Sequence, residues 1–296
     1  MNNNRLAVLD FGTSKIKILT CNKNSDNEIS YNLQFEIVSI GKLLKENIDS
    51  NLKNNILSDF AKKTTINVDK LKNDGYFIKA IATEIFRKNK DLNTSLIELS
   101  NKLKFELEIL DEKKEAILLS NNFSLNNNTL LTDIGGGSSQ LIYLDNNEIT
   151  TKSFPIGSYK LYSIFQPNNE IFTEDTYIKI NDYITKMVQI NKKFNDLIVG
   201  SNLMLDFFNS LSEVSGLNFI KNDCFDSRIV SYLINNLFLN QKYEDLFKYF
   251  PQNTNFMYGA DKMLVILENY IKIFNIKTIY PTNKGIVTGI AKSYFY

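Results

Sequence analysis

"LLTDIGGGSSQLIYLDNNEIT", residues 130–150, decides how this chain reads. An apolar run ends in Asp133 and three glycines follow. "SQLIYLD" then alternates like a strand and closes in an Asp-Asn-Asn turn. Glycine has no Cβ, so such a run lets another group approach the backbone closely. In a Walker loop or a dinucleotide fingerprint the glycines lead from a strand into a helix whose N-terminus holds phosphate. Here they lead into a second strand and no GK[ST] follows, so a Rossmann reading is poor. The pattern predicts a Gly-rich hairpin turn whose successive N–H groups form an anion-binding nest.

The same plan occurs earlier. "LAVLDFGTSKIKIL" (6–19) is an apolar strand, then Asp-x-Gly, a few small residues and a second strand. The echo predicts two related halves, each opening with a β-hairpin.

Composition limits what the halves do. The 296 residues are 43% hydrophobic, enough to bury one large or two ordinary cores. Lys and Arg number 34 against 33 Asp and Glu, so no basic field argues for nucleic acid or a membrane surface. No apolar run reaches ~18 residues, so no transmembrane helix is expected. The start, "MNNNRLAVLDFG", lacks the layout of a signal peptide. Cys21 and Cys224 form no spacing pattern, which predicts a reduced, cytoplasmic protein with each cysteine a buried small hydrophobe. Histidine is absent. That excludes a Ser-His-Asp triad, a Cys-His pair and histidine zinc ligands. A general base near neutral pH must then be a carboxylate, or failing that a Lys or Tyr. A metal would be a hard ion held by oxygens, such as Mg²⁺.

Strands and helices alternate along the chain. "RLAVLDFG", "KIKILTCN", "EISYNLQFEIVSI", "YFIKAIAT" and "FELEIL" read as strands. "NLKNNILSDFAKKTT" and "TSLIELSNKLK" read as helices, as does "DEKKEAILLSNNF" with Asp111 as N-cap. A second meander covers "TLLTDIGGG", "SQLIYLD" and "EITTKSFPI". Beyond residue 158 the pattern is mostly helical: "EDTYIKINDYITKMVQINKKF", "DSRIVSYLINNLFLNQKYEDLFKYF" and "GADKMLVILENYIKIF". Short strands at "DLIVGS" and "KTIYP" interrupt it. The many asparagines read as drift on solvated surfaces.

At this point the chain resembles the exopolyphosphatase and guanosine pentaphosphate phosphohydrolase (Ppx/GppA) family, of the actin-like ATPase superfold. Five segments match in order: "VLDFGTSKIKIL", "AIATEIFRKNKD", "LEILDEKKEAILL", "LLTDIGGGSSQLI" and "SFPIGSYKL", with a looser tail at "KGIVTGIA". The resemblance implies an α/β fold of two actin-like (ribonuclease H-like) domains with a cleft between them that holds phosphate. Domain I would span 1–112, with the last helix, near 284–296, packing back onto it, and domain II would span 113–283.

It also implies roles. Glu115 matches the glutamate that activates water, although without the motif it reads as one more surface carboxylate. Asp133, and with it Asp10, would serve the metal and phosphate site, or simply cap strand ends. Gly135, Gly136, Gly137 and Ser138 would cradle phosphate with backbone N–H groups, and Gly12, Thr13 and Ser14 would do so from the other domain. Arg87 would clamp phosphoryl oxygens with its forked donors. Lys15 would add a phosphate contact or stand as an exposed strand-edge charge.

The sequence departs from the family pattern in three places. Gln140 stands where the family has glutamate, which weakens Mg²⁺ binding. Lys15 replaces a serine. A later Gly-Ser-Gly-Thr-like loop is reduced to Gly200 and Ser201. The leading expectation is Mg²⁺-dependent hydrolysis of a terminal phosphoanhydride in polyphosphate or a guanosine penta- or tetraphosphate-like nucleotide. A catalytically weak nucleotide sensor and an actin-like small-molecule kinase are the alternatives. The oligomeric state stays open, a homodimer being one option.

Overall fold

The computed structural model describes residues 4–13, 15–38, 40–44, 49–166 and 171–296. The chain divides into two compact units, Met1–Asn122 with Ile286–Tyr296, and Phe123–Gly285.

The first unit is built on a five-stranded sheet in the order β3-β2-β1-β4-β5. Its strands are β1 (Arg5–Phe11), β2 (Lys15–Lys23), β3 (Ile29–Ile37), β4 (Phe77–Ala82) and β5 (Glu106–Ile109). After its first residue β1 is buried throughout, so it reads as a continuous apolar run rather than an alternating one. β2 alternates at its start, with Lys15 and Lys17 on one face and the buried Ile16 and Ile18 on the other. The first helix, α1 (Ser50–Asn73), opens at Asp49, whose carboxylate accepts from the Asn51 and Leu52 N–H groups. Ile56, Phe60, Thr64, Val68 and Leu71 form its buried stripe. α2 (Glu84–Lys88), α3 (Lys90–Leu103) and α4 (Glu112–Ser120) follow. Phe11 packs edge-on against Phe60 at 5.6 Å and Phe86 at 6.3 Å between ring centroids. Those contacts anchor the residues immediately before Gly12 and Arg87.

The expected division after residue 112 assigns α4 to the second domain, but α4 lies in the first unit against the C-terminal helix Ile286–Phe295. There Gly289 sits so close to α4 that a Cβ would lie 1.8 Å from the Leu118 carbonyl oxygen. Asn121 donates to Ser293 at 3.0 Å, and Lys292 to the Asn121 carbonyl at 2.8 Å.

The second unit holds β6 (Thr129–Ile134), β7 (Ser139–Asp145), β8 (Glu148–Phe154), β9 (Asp196–Gly200), β10 (Phe225–Asp226) and β11 (Thr278–Thr282). Their order is β10-β11-β9-β6-β7-β8. Without the short edge strand β10, the run β8-β7-β6-β9-β11 repeats the order of the first sheet. Both sheets therefore open with an antiparallel meander and continue with parallel strands beside its first member. The helices are α5 (Ser158–Phe165), α6 (Glu174–Met187), α7 (Met204–Val214), α8 (Arg228–Leu233), α9 (Tyr243–Leu246) and α10 (Thr254–Phe274). α10 is buried without a break from Ala260 to Tyr270, and even its Lys262 is enclosed, paired with Asp261 at 2.6 Å and Tyr243 at 3.0 Å.

Three local expectations change. The single helix expected over "DSRIVSYLINNLFLNQKYEDLFKYF" is α8, a π-helical turn and then α9. The break falls where Asn240 turns to φ 61° and its N–H reaches the Phe172 carbonyl at 2.8 Å. α6 stops at Met187 because Val188 is extended. Cys21 is buried as expected, but Cys224 is half-exposed and donates to the Lys221 carbonyl at 3.2 Å.

Candidate functional site

In the first unit β1, β4 and β5 are parallel, and the turns beyond their C-terminal ends share one edge of the sheet, the usual place for a ligand in such sheets. The turn after β1 closes with the Gly12 N–H on the Lys15 carbonyl at 3.1 Å. It is backed by Gly41, whose N–H donates to the Thr13 carbonyl at 2.8 Å. Ser14 lies outside the described residues. Asp10 is buried and faces Lys17 across the hairpin, with Nζ 2.7 Å from its carboxylate. The Lys15 Nζ stands 4.6 Å from the centroid of the Phe35 ring. Burial, then repulsion from Lys17, lowers the Lys15 pKa to about 8 against the opposing pull of Asp10.

Beyond β4, α2 carries Arg87. One guanidinium nitrogen donates both to the Leu110 carbonyl, just past β5, and to the Glu115 carboxylate. Glu115 is buried and belongs to the first turn of α4, whose N-cap Asp111 accepts from the Lys114 N–H at 2.7 Å. A carboxylate near a helix N-terminus is favoured there, and a buried one needs a partner. The structure thus brings Asp10, Gly12, Thr13, Lys15, Arg87 and Glu115 to one edge. It also pairs Arg87 and Glu115 with each other.

In the second unit β6, β9 and β11 are parallel and their following loops also share an edge. The turn after β6 closes like the first, with the Gly135 N–H on the Ser138 carbonyl at 2.9 Å. Asp133 faces Gln140 as Asp10 faces Lys17. The three glycines do not serve a left-handed backbone: among the described residues the positive-φ glycines are Gly75 and Gly216. What approaches them from behind is the start of α5. The Ser158 N–H donates to the Gly135 carbonyl at 3.0 Å and the Lys160 N–H to the Gly136 carbonyl at 2.9 Å. Gly157 packs so tightly that a Cβ would stand 2.5 Å from the Gly136 and Gly137 backbone. Gly135 and Gly136 are otherwise exposed, with Gly137 and Ser138 half-buried.

Two residues that the sequence reading passed over complete this edge. Asn202, beyond β9, is buried, and neither its Oδ1 nor its Nδ2 has a hydrogen-bond partner among the described residues. It rests on Gly285, where a Cβ would come within 1.8 Å of its Oδ1. Asn283 caps α7, its Oδ1 accepting from the Leu205 and Asp206 N–H groups at 3.1 and 3.3 Å. Their spacing just past two apolar strands is the signal that sets them apart from the solvated asparagines.

Residues 55–291 match the model of the Ppx/GppA phosphatase family. The chain belongs to this family. Among solved structures it is similar to an exopolyphosphatase from Cytophaga hutchinsonii, with a TM-score of 0.78 at 18% identity over 98% of this chain and 97% of that one. It is also similar to a Ppx/GppA family member from Aquifex aeolicus, with a TM-score of 0.77 at 16% identity over 98% and 96%. The curated proteins include no match. The fold is therefore the actin-like α/β fold of the Ppx/GppA phosphatases. No helix of the described residues is long and apolar enough to cross a membrane.

The donor set for Mg²⁺ is sparse in this Ppx/GppA member. Among the described residues no group of three or more Asp, Glu or Cys side chains is placed to hold a metal ion. Asp10 is engaged by Lys17, and Asp133 faces a neutral amide. Mg²⁺ is often held by one or two carboxylates, with waters and substrate phosphates supplying the remaining ligands. Asp133 and Asp10 are the turn carboxylates that could supply such a ligand, Asp10 being already paired with Lys17.

Proposed function

We propose that this Ppx/GppA phosphatase hydrolyses a terminal phosphoanhydride of polyphosphate or of a guanosine penta- or tetraphosphate-like nucleotide. The observation that carries the reading is the shared edge of the first unit, where the Asp-Gly turn, Arg87 and a buried glutamate meet. Glu115 takes the proton of the attacking water, because the chain has no histidine and Gln140 is no base. Arg87 holds phosphoryl oxygens. Lys15 and the Thr13 amide neutralise and orient phosphate at the first turn, and the amides of Gly136, Gly137 and Ser138 do so at the second; the Gly12 and Gly135 N–H groups, expected to join them, instead close the two turns. Asp10 positions Lys17. Mg²⁺, held through Asp133, water and the substrate's own phosphates, would offset charge on the phosphoryl oxygens. Such hydrolysis needs positioning, charge compensation and a base for water rather than a covalent intermediate.

Gln140 and the unpartnered amide of Asn202 favour a second reading, a member that binds a phosphorylated nucleotide with little turnover. Phosphate release from polyphosphate, guanosine pentaphosphate and ATP, with and without Mg²⁺, separates the two. The hydrolase reading expects Mg²⁺-stimulated release from at least one of the first two. Tight nucleotide binding without release from any substrate would replace it by the sensor.

A further inference from the structure

We propose that Tyr159 is a stacking platform for a nucleobase, so that the second turn takes a nucleotide in preference to polyphosphate. This rests on the phosphate role given above to that turn and names the substrate class the turn selects.

The backbone of Tyr159 is pinned on both sides. The N–H groups of its neighbours, Ser158 and Lys160, donate to the Gly135 and Gly136 carbonyls at 3.0 and 2.9 Å. Its Cβ lies 3.5 Å from the point where a Gly136 side chain would begin. The Tyr159 side chain is nevertheless 57% exposed, beside a glycine that is itself exposed. Behind it the ring is supported. Tyr162, one turn further along α5, is half-buried with its ring centroid 6.4 Å away. Tyr162 stands in turn 6.3 Å from the buried Tyr243, and the Nζ of the enclosed Lys262 lies 5.7 and 5.5 Å from the centroids of these two rings. The row of rings thus runs out from the core and ends in solvent at Tyr159, beside the glycine turn.

Polyphosphate has no use for such a ring. An aromatic face carries partial negative charge, whereas a chain of phosphates needs cations along its length. The segment that holds the turn, residues 130–151, contains neither lysine nor arginine. A nucleotide suits both features. Its phosphate accepts from the amides of Gly136, Gly137 and Ser138, and its base covers the ring. Stacking of a base on an aromatic side chain is favourable for every base, and a tyrosine already held in place loses little freedom when it is covered.

The test uses two ligands that cannot be hydrolysed, guanosine 5′-(α,β-methylene)diphosphate and methylenediphosphonate. Each is titrated calorimetrically into the wild type, Tyr159→Leu and Tyr159→Phe. The wild type should bind the nucleotide at least about tenfold tighter than the diphosphonate. Tyr159→Leu keeps an apolar, helix-compatible side chain without the ring. It should lose most of that margin and bind the diphosphonate within about twofold of the wild type. Tyr159→Phe keeps the ring and should keep the margin. Equal losses for both ligands in Tyr159→Leu would make Tyr159 a support for the turn and overturn the proposal. So would an unchanged margin in Tyr159→Leu, or no margin in the wild type. Binding of neither ligand by the wild type would overturn the phosphate role of the turn as well. Failure of the hydrolase reading shows separately, in the phosphate-release assay. Release from polyphosphate with no margin for the nucleoside would keep that reading and remove this one.

Discussion

The two Asp-Gly turns share one register and differ in what they carry. Each closes on a glycine N–H bonded to a carbonyl three residues on. Each is backed by an Ile-Gly that follows the third strand of its meander, Ile40-Gly41 in one unit and Ile156-Gly157 in the other. At Gly41 an added Cβ would meet the Thr13 side-chain methyl at 2.7 Å, whereas at Gly157 it would meet backbone at 2.5 Å. Across the hairpin, Asp10 faces a cation and Asp133 faces an amide. The first turn therefore supplies side-chain charge, with Lys15, Lys17, Arg87 and Glu115 on its edge. The second supplies bare backbone, and behind it Gly157 packs directly on the backbone of Gly136 and Gly137.

If the first unit supplies the chemistry, the largest effect belongs there. Glu115→Gln should lower kcat by about 10²–10⁴-fold without raising KM. Gln140→Glu, the corresponding change at the second turn, should raise Mg²⁺-dependent release by a smaller factor. Steady-state kinetics on one substrate compares them, and a larger effect at Gln140 would reverse the assignment.

Stability should rank the backing glycines the other way. Gly157→Ala is expected to cost about 1–3 kcal/mol, because backbone cannot move aside. Gly41→Ala should cost less, since the Thr13 methyl can rotate. Urea denaturation of the pair measures this, and equal losses would remove the distinction between the turns.

Gly136→Val separates folding from binding. Its Cβ would meet only the Tyr159 Cβ, at an ordinary 3.5 Å. The variant should keep its melting temperature and lose about tenfold in phosphate affinity, or about 1.4 kcal/mol. Unaltered phosphate affinity would mean that the glycines serve packing alone.

The smallest effect is on pH dependence. With its pKa lowered to about 8, Lys15 is charged below that pH and neutral above it. Phosphate affinity should fall severalfold as pH rises through about 8, and Lys15→Met should flatten that fall. A fall of equal size in Lys15→Met would assign it to another group.

Much of the fold is legible in the sequence, because the strands flanking both turns are apolar and β-branched and the turns carry glycine. Asp111 as N-cap is legible for the same reason, being a local rule. Local rules do not reach the Arg87–Glu115 pair or the Lys17–Asp10 pair, whose partners meet only once strands are in register. Nor do they reach the contact of Gly157 with the glycine run, which depends on a backbone that returns from β8. Asn240 breaks a periodic apolar stretch through a left-handed turn that hydrophobic spacing does not signal. Asn202 carries a signal in its place just past an apolar strand, but the strand rule alone does not show that it is buried without a hydrogen-bond partner among the described residues.

The central claim is that water attacks a terminal phosphorus. Hydrolysis of polyphosphate in ¹⁸O-labelled water, with the released phosphate analysed by mass spectrometry, tests it most directly. The account predicts one ¹⁸O atom in each phosphate released by a single turnover. Phosphate transferred without label to another acceptor would indicate a kinase, and the absence of any released phosphate would contradict the claim outright.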